Sequence, residues 1–262
     1  MYTNNFNIKS SPFQEHPEIK NILREDRFER QMARLNYFRD NGRIAILTGA
    51  TGVGKTTLIR SFLDNSEPRY FHLLHIHLSR LGDTALLRHI VSKIGETPSR
   101  ERERVFDQLS EKAFKTKKNI LLVIDEAHLL SPASLVDMRL LCDMSSSEGK
   151  PLFRILLSGQ DDLLHTLRQD RFTDLRDRLC VRSSLYPLSH DETLLYIDRQ
   201  MQKAGATMNV FSSEIGKIIY EYSGGIPRKI NNAAIACLIA TASEKAKKVE
   251  ASHARNAIEE LL

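Results

Sequence analysis

The sequence predicts an α/β protein, a three-layer arrangement in which helices cover both faces of a parallel sheet, followed by a small all-helical lid. Three observations predict it. Short apolar runs alternate with helical patterns as far as residue 188. Those runs are mostly apolar throughout rather than at every second residue, as strands buried on both faces must be. After Leu188 only helical segments follow, with no further strand pattern.

Residues 1–20 are polar, contain Pro12 and Pro17, and read as an extended N-terminal arm. Residues 24–40 read as a charged helix. "RIAILTG" (43–49) is a buried strand that runs into a glycine-rich loop, and "TTLIRSFLDN" continues as a helix. "YFHLLHIHLS" (70–79) is a second strand, and "DTALLRHIVSKIG" (83–95) a helix ended by Gly95. "RERERVFDQLSEKAFKTKK" is a further charged helix. "NILLVIDEAHLL" (119–130) is a continuous apolar strand ending in two carboxylates. "SPASLVDMRLLCDMSS" opens a helix with Ser at the cap and Pro at the first position. "FRILLSGQ" (153–160) is a fourth strand and "SSLYPL" (183–188) a fifth. "SHDETLLYIDRQMQKAG" then carries a capping box, Ser189 with Glu192. The expected divisions are an arm at 1–20, an α/β domain at 21–186 and a helical lid at 187–262.

Composition narrows the classes. No apolar run in the 262 residues approaches the roughly 20 needed to span a bilayer, and the N-terminus lacks a charged-then-apolar signal, so a cytoplasmic protein with no membrane contact is expected. Cys142, Cys180 and Cys237 are far apart and odd in number, which argues against a zinc site or disulfide framework. "HIH" at 75–77 reads as a strand pairing. The net charge of +5 is unevenly spread: residues 1–184 hold 29 Lys and Arg against 24 Asp and Glu, while residues 185–262 hold nine of each. A basic surplus confined to the first part permits a nucleic-acid partner.

The chemistry centres on "GATGVGKT". Gly49, Gly54, Lys55 and Thr56 fit G-x-x-x-x-G-K-[ST] at every fixed position, with a strand before and a helix after. Glycines there let backbone N–H groups turn inward on phosphates at the positive end of a helix. Gly49, Ala50, Thr51, Gly52, Val53, Gly54, Lys55, Thr56 and Thr57 are therefore expected to bind ATP. The Thr56 hydroxyl and Asp125 are expected to hold Mg²⁺. Glu126, next to Asp125 in "ILLVIDE", is placed to polarise the attacking water. Ser158 and Gln160 end the fourth strand, where one of the two would orient water or read the γ-phosphate. Arg178, or in second place Arg176, would reach a neighbouring subunit's nucleotide. Arg228, behind the turn in "GGIPRKIN", would reach the γ-phosphate from the lid.

This order of motifs resembles an AAA+ ATPase, a P-loop NTPase with a helical lid. More narrowly, "Y…NNFNIKSSPF", "IDEAHLLSPASLVDMRLL", "LLSGQDDL", "LRDRL…YPLSHDE" and "SGGIPRKIN" resemble the ExeA-like ATPases over nearly the whole chain. Secretion members of that family carry a membrane segment and a peptidoglycan-binding region beyond the lid, and this chain ends at its lid. The layout is similar to the transposon-encoded target-selection ATPases of the TniB, TnsC and IstB kind. The resemblance implies a homo-oligomer, ring or helical filament, that assembles on duplex DNA with ATP and recruits a transposase, a role in transposition and DNA recombination. The alternative it implies is an ATPase acting on a protein client in secretion. Residues 79–118 hold ten basic residues against six acids. By the resemblance, Arg80, Lys93, Thr97, Ser99 and Arg100 would grip DNA phosphates without reading sequence. The competing reading is a solvated helix face on which "RERER" pairs internally.

Overall fold

The structure, a computed structural model, describes residues 2–14, 26–78, 83–116 and 118–261. Five strands form one sheet: β1 (Ile44–Thr48), β2 (Phe71–His77), β3 (Asn119–Asp125), β4 (Phe153–Gly159) and β5 (Leu179–Ser184). Their order is β2-β3-β4-β1-β5, and every neighbouring pair is parallel. From β1 the chain crosses to the far edge at β2, works back to β4, and passes over β1 to β5. Connections thus diverge beside β1, and the crevice at the strands' carboxyl ends is where open α/β sheets bind ligands. Register brings those ends level. Leu47 lies opposite Ser158, Ile124 opposite Leu157, and His77 opposite Asp125.

Helices cover both faces. Side chains alternate across a strand, and Ile44, Ile46, Ile120, Leu122, Ile124, Ile155 and Leu157 share one apolar cluster with three helices. These are α4 (Asp83–Lys93), α5 (Arg102–Thr116) and α6 (Pro132–Asp143). The intervening Ala45, Leu47, Leu121, Val123 and Leu156 are equally buried. They face the other way, where α2 (Asp26–Asn41) and α3 (Lys55–Asp64) pack through Phe38 and Phe62, ring centroids 6.4 Å apart. Each such aliphatic burial contributes about 1.5–3 kcal/mol. Helix α6 starts as the sequence predicts, with the Ser131 hydroxyl accepting from Ser134 N–H at 3.1 Å.

Short helices α7 (Asp162–Leu167) and α8 (Thr173–Arg176) precede β5. The lid segment holds α9 (His190–Lys203), α10 (Ser213–Ser223), α11 (Pro227–Ser243) and α12 (Ala251–Glu259). Both bonds of the Ser189–Glu192 capping box are present. The chain divides into two compact units: residues 25–50 with 55–185, and residues 1–24 with 51–54 and 186–262. The second has its own core of Phe6, Ile8, Phe13, Ile197, Phe211, Ile219, Ile230 and Leu238.

Three expectations need correction. The N-terminal segment is more than an extended arm. Tyr2–Asn5 forms a helical turn (α1), Lys9 N–H donates to Ala204 O at 2.7 Å, and Phe13 stacks edge-on against Phe211. The fifth strand is Leu179–Ser184, not 183–188. It is an edge strand with polar outward residues, so "LCVRSS" hides its pattern, while the apolar "LYPL" that attracted the assignment contains a proline that cannot donate to a ladder. The third strand stops at Asp125, because Glu126 turns left-handed (φ 59°) and Ala127–Leu129 is a 3₁₀ turn.

Candidate functional site

Within the first unit the site is built on one carboxylate. Asp125 ends β3, which is buried from Ile120 onward, and is itself wholly shielded from solvent. Its two oxygens have different partners. Oδ1 accepts from the Ser158 hydroxyl at 2.9 Å and from Glu126 N–H at 3.1 Å. Oδ2 accepts from the Thr56 hydroxyl at 2.9 Å. A buried charge needs such partners, since desolvation costs several kcal/mol. Thr56 and the Oδ2 side of Asp125 supply hard oxygen donors, which suit Mg²⁺. His77 Nδ1 lies 3.7 Å from the same Oδ2. His75, two residues earlier, has its pKa lowered by burial and by His77, with Asp125 acting in the opposite direction.

Lys55 opens α3 and is 5% exposed. Its ammonium donates to the Gly49 carbonyl at 2.8 Å and the Ala50 carbonyl at 3.1 Å, so it is folded back onto the loop. Thr56 is exposed and Thr57 half-buried on the same first turn. The open N–H groups of that turn and the lysine form a cationic cradle suited to phosphates.

Glu126 is the site residue with a left-handed backbone (φ 59°), which Asn7 and Lys245 share elsewhere among the described residues. A left-handed non-glycine residue costs of order 1–2 kcal/mol and is typical of functional sites. Its carboxylate lies 3.4 Å from His128 Nδ1. Gln160 meets the same ring: its amide nitrogen is 3.2 Å from His128 Nε2, and its backbone N is 3.4 Å from Nδ1. The two strand-tip candidates therefore differ. Ser158 is buried beneath Asp125, and Gln160 stands half-buried beside His128. Residue reading missed His128. The signal was its place three residues after Asp125, where the strand's turn brings it back to the β4 tip.

The arginine pair also divides. The Arg178 guanidinium donates to Asp143 at 2.5 Å and to the Asp174 carbonyl at 2.6 Å, and the Asp143 hydrogen bond raises its pKa further. Arg176 instead donates to the Arg168 carbonyl and the Thr173 hydroxyl, both at 2.7 Å, with no carboxylate partner among the described residues.

In the second unit, Gly52 and Gly54 have φ of 85° and 104°, where L side chains are strained. A side chain on Gly52 would start 2.9 Å from Cβ of Arg228. Arg228 N–H donates to Gly52 O at 3.2 Å, so the start of α11 is seated on the loop tip. Val53 is buried and Thr51 exposed. Behind Arg228, Gly225 (φ 74°) lies against Leu188, whose N–H donates to Gly225 O at 2.8 Å.

Of the DNA candidates, Arg80 lies outside the described residues. Thr97 and Ser99 are tied to α5: Gln108 donates to Thr97 O at 2.8 Å and accepts from Ser99 N–H at 2.9 Å. Much of the basic surplus is paired. Arg102 bonds Asp137, Arg104 pairs with Glu101, Lys112 with Glu96 and Lys115 with Glu111. Pairing inside "RERER" thus accounts for one arginine, Arg104 with Glu101, while Arg102 is taken by Asp137 on α6. Lys93 and Arg100 are exposed and have no carboxylate partner among the described residues.

Among the described residues no group of three His, Cys, Asp or Glu could hold a metal by itself. No described helix is long and apolar enough to cross a membrane.

Residues 39–167 match the family described as AAA domain. General secretion pathway protein A of Aeromonas hydrophila is 31% identical over 256 residues, 95% of this chain and 46% of that protein. The chain therefore spans about half the length of that relative. Cdc6p of Pyrobaculum aerophilum aligns with a TM-score of 0.73 at 20% identity, over 96% of this chain and 71% of that one. The Aeropyrum pernix ORC1 protein, solved in complex with DNA, aligns with a TM-score of 0.68 at 16% identity, over 93% of this chain and 67% of that one. At such identities the likeness shows the fold. Residues 39–167 thus match an AAA domain, and the five-stranded parallel sheet with its helices has the P-loop AAA+ fold.

Proposed function

We propose that this ATPase assembles as a homo-oligomer on duplex DNA in its ATP-bound form and regulates transposition by recruiting or activating a transposase at target DNA. The observation that carries the DNA reading is the pair Lys93 and Arg100, exposed cations without acidic partners among the described residues, in a segment where Arg104 and Lys112 are neutralised. The likeness to an ORC1 protein solved with DNA supports a fold compatible with that use. The transposase partner rests on the sequence resemblance.

ATP with Mg²⁺ supplies the phosphoanhydride bond and the charge neutralisation of its oxygens. This chain's residues do the rest. Lys55 swings from its loop carbonyls toward the β and γ phosphates. Thr56 and Asp125 Oδ2 would hold the cation, while Ser158 and Glu126 N–H fix Asp125 from behind. Glu126 takes the proton of the attacking water, and Gln160 reads the γ-phosphate. Arg228 reaches that phosphate from the lid. Arg176 is better suited than Arg178 to act on a neighbour's nucleotide, because Arg178 is held by Asp143.

A second reading, a secretion ATPase with a protein client, is favoured by the 31% identity to General secretion pathway protein A. Retention of random duplexes with a non-hydrolysable ATP analogue separates the two. The parent protein should retain DNA, and affinity should fall steeply between about 50 and 200 mM salt. The Lys93→Ala/Arg100→Ala double variant should bind less tightly to all sequences, with a salt slope shallower by about 0.9 per lost phosphate contact. No retention by the parent in any nucleotide state would overturn the DNA reading and favour the protein-client one.

A further inference from the structure

We infer that His128 is a positioning residue for hydrolysis: it passes the position of Gln160 at the β4 tip to the carboxylate of Glu126. The inference rests on the reading of Glu126 as the base. Three observations carry it. His128 Nε2 stands 3.2 Å from the Gln160 amide nitrogen, and His128 Nδ1 stands 3.4 Å from Glu126 Oε2. The ring is only 12% exposed, so packing fixes it between the two. Gly159 makes the space, since a Cβ there would lie 3.0 Å from His128 N and 3.3 Å from Nδ1.

The hydrogen-bond roles give this chain of groups a direction. Glu126 can only accept when ionised, so a bond to it requires a proton on Nδ1. A neutral ring with that proton has a bare Nε2, which accepts from the Gln160 amide facing it. Gln160 therefore stabilises the tautomer that holds Glu126. The alternative is also built in. Gln160 N–H lies 3.4 Å from the same Nδ1 and can donate only to the tautomer that releases Glu126. One nitrogen cannot serve both. Movement of Gln160 toward or away from the ring thus selects whether the Glu126 carboxylate is held, which links the occupant of the phosphate site to the base without direct contact. The left-handed backbone of Glu126 (φ 59°) suits this arrangement, because it breaks β3 and returns the chain so that residues 126 and 128 face β4.

The test is steady-state ATPase kinetics with independently measured nucleotide affinity, on His128→Leu, His128→Asn, Gln160→Ala and the His128→Leu/Gln160→Ala double variant, with Glu126→Gln beside them. Misplacing a reacting group by about 1 Å can cost up to about 100-fold. His128→Leu, which keeps bulk but no hydrogen bond, should therefore lower kcat about 10- to 100-fold with nucleotide affinity within about two-fold of the parent. His128→Asn places a donor near the Nδ1 position and should recover most of that loss. Gln160 would also make its own contact with the γ-phosphate, so the double variant should be slower than Gln160→Ala by no more than about two-fold, because the part of its effect that runs through His128 is already lost. Parent kcat in His128→Leu, no recovery in His128→Asn, or a double variant slowed relative to Gln160→Ala by the full factor that His128→Leu shows alone would each overturn the inference. Should His128→Leu fail to fold by circular dichroism, Gly159→Ala takes its place: it displaces His128 and should show the same loss of kcat, and a parent rate overturns the inference. If Glu126→Gln hydrolyses at the parent rate, the assignment of the base fails. If Glu126→Gln is inactive while His128→Leu keeps parent kcat, only the role of His128 fails.

Discussion

Ser158→Ala is the perturbation that isolates how Asp125 is held. The two side chains are nearly the same size, so the change leaves almost no cavity and removes one hydroxyl. That hydroxyl donates to Asp125 Oδ1 at 2.9 Å, and both groups are fully buried. Hydrogen bonds to charged groups contribute about 1.5–3 kcal/mol, and water cannot replace this one. Glu126 N–H remains on Oδ1 at 3.1 Å and Thr56 on Oδ2, so the loss should fall near the middle of that range, about 2 kcal/mol. With a urea slope of about 2–3 kcal/mol/M, the unfolding midpoint of the α/β unit should drop by roughly 0.7–1 M. The assay is urea titration followed by far-ultraviolet circular dichroism, without nucleotide. The same variant should bind Mg-nucleotide more weakly, because an Asp125 freed at Oδ1 no longer presents Oδ2 at a fixed angle. A midpoint within about 0.2 M of the parent would refute the reasoning. It would mean that the hydroxyl is dispensable and Asp125 is positioned by the strand alone.

Lys55→Ala should lose nucleotide binding, measured by titration with a fluorescent ATP analogue, whereas Glu126→Gln should bind normally and turn over at least about 100-fold more slowly. In mixtures with Lys55→Ala subunits, Arg176→Ala subunits should restore part of the ATPase activity, since each supplies the group the other lacks. Arg178→Ala should mainly remove a partly exposed ion pair worth about 1 kcal/mol or less, read as a small fall in melting temperature. Burial pushes the thiols of Cys142 up to about 11 and Cys237 up to about 12. Unfolded thiols ionise first, near pH 9, so their contribution to stability is intact below that and fades as pH rises toward 11–12, visible as an alkaline fall in the urea midpoint. The exposed Cys180 should react with maleimide well before either.

The sequence by itself determined the fold class and the chemistry of the loop. Phosphate binding is a local matter: Gly49, Gly54, Lys55 and Thr56 carry it at fixed spacing, and the apolar runs around them announce strands buried on both faces. The carboxylates of "VIDE" were legible for the same reason, since a strand delivers its last residue to the sheet edge. Edges were not legible. Strand β5 has one polar side, and its identity depends on pairing with β1, a partner 135 residues earlier (Ile44 to Leu179). Tertiary structure alone decided the partners of charged and polar groups, because these depend on approach between distant segments. Nothing local says that Arg178 meets Asp143, that Arg102 meets Asp137 across two helices, or that Lys93 and Arg100 find no acidic partner among the described residues. It also decided that Ser158 lies under Asp125 while Gln160 stands at His128: two residues apart on one strand tip, they differ because the register of β3 against β4 buries one and leaves the other beside the returning turn.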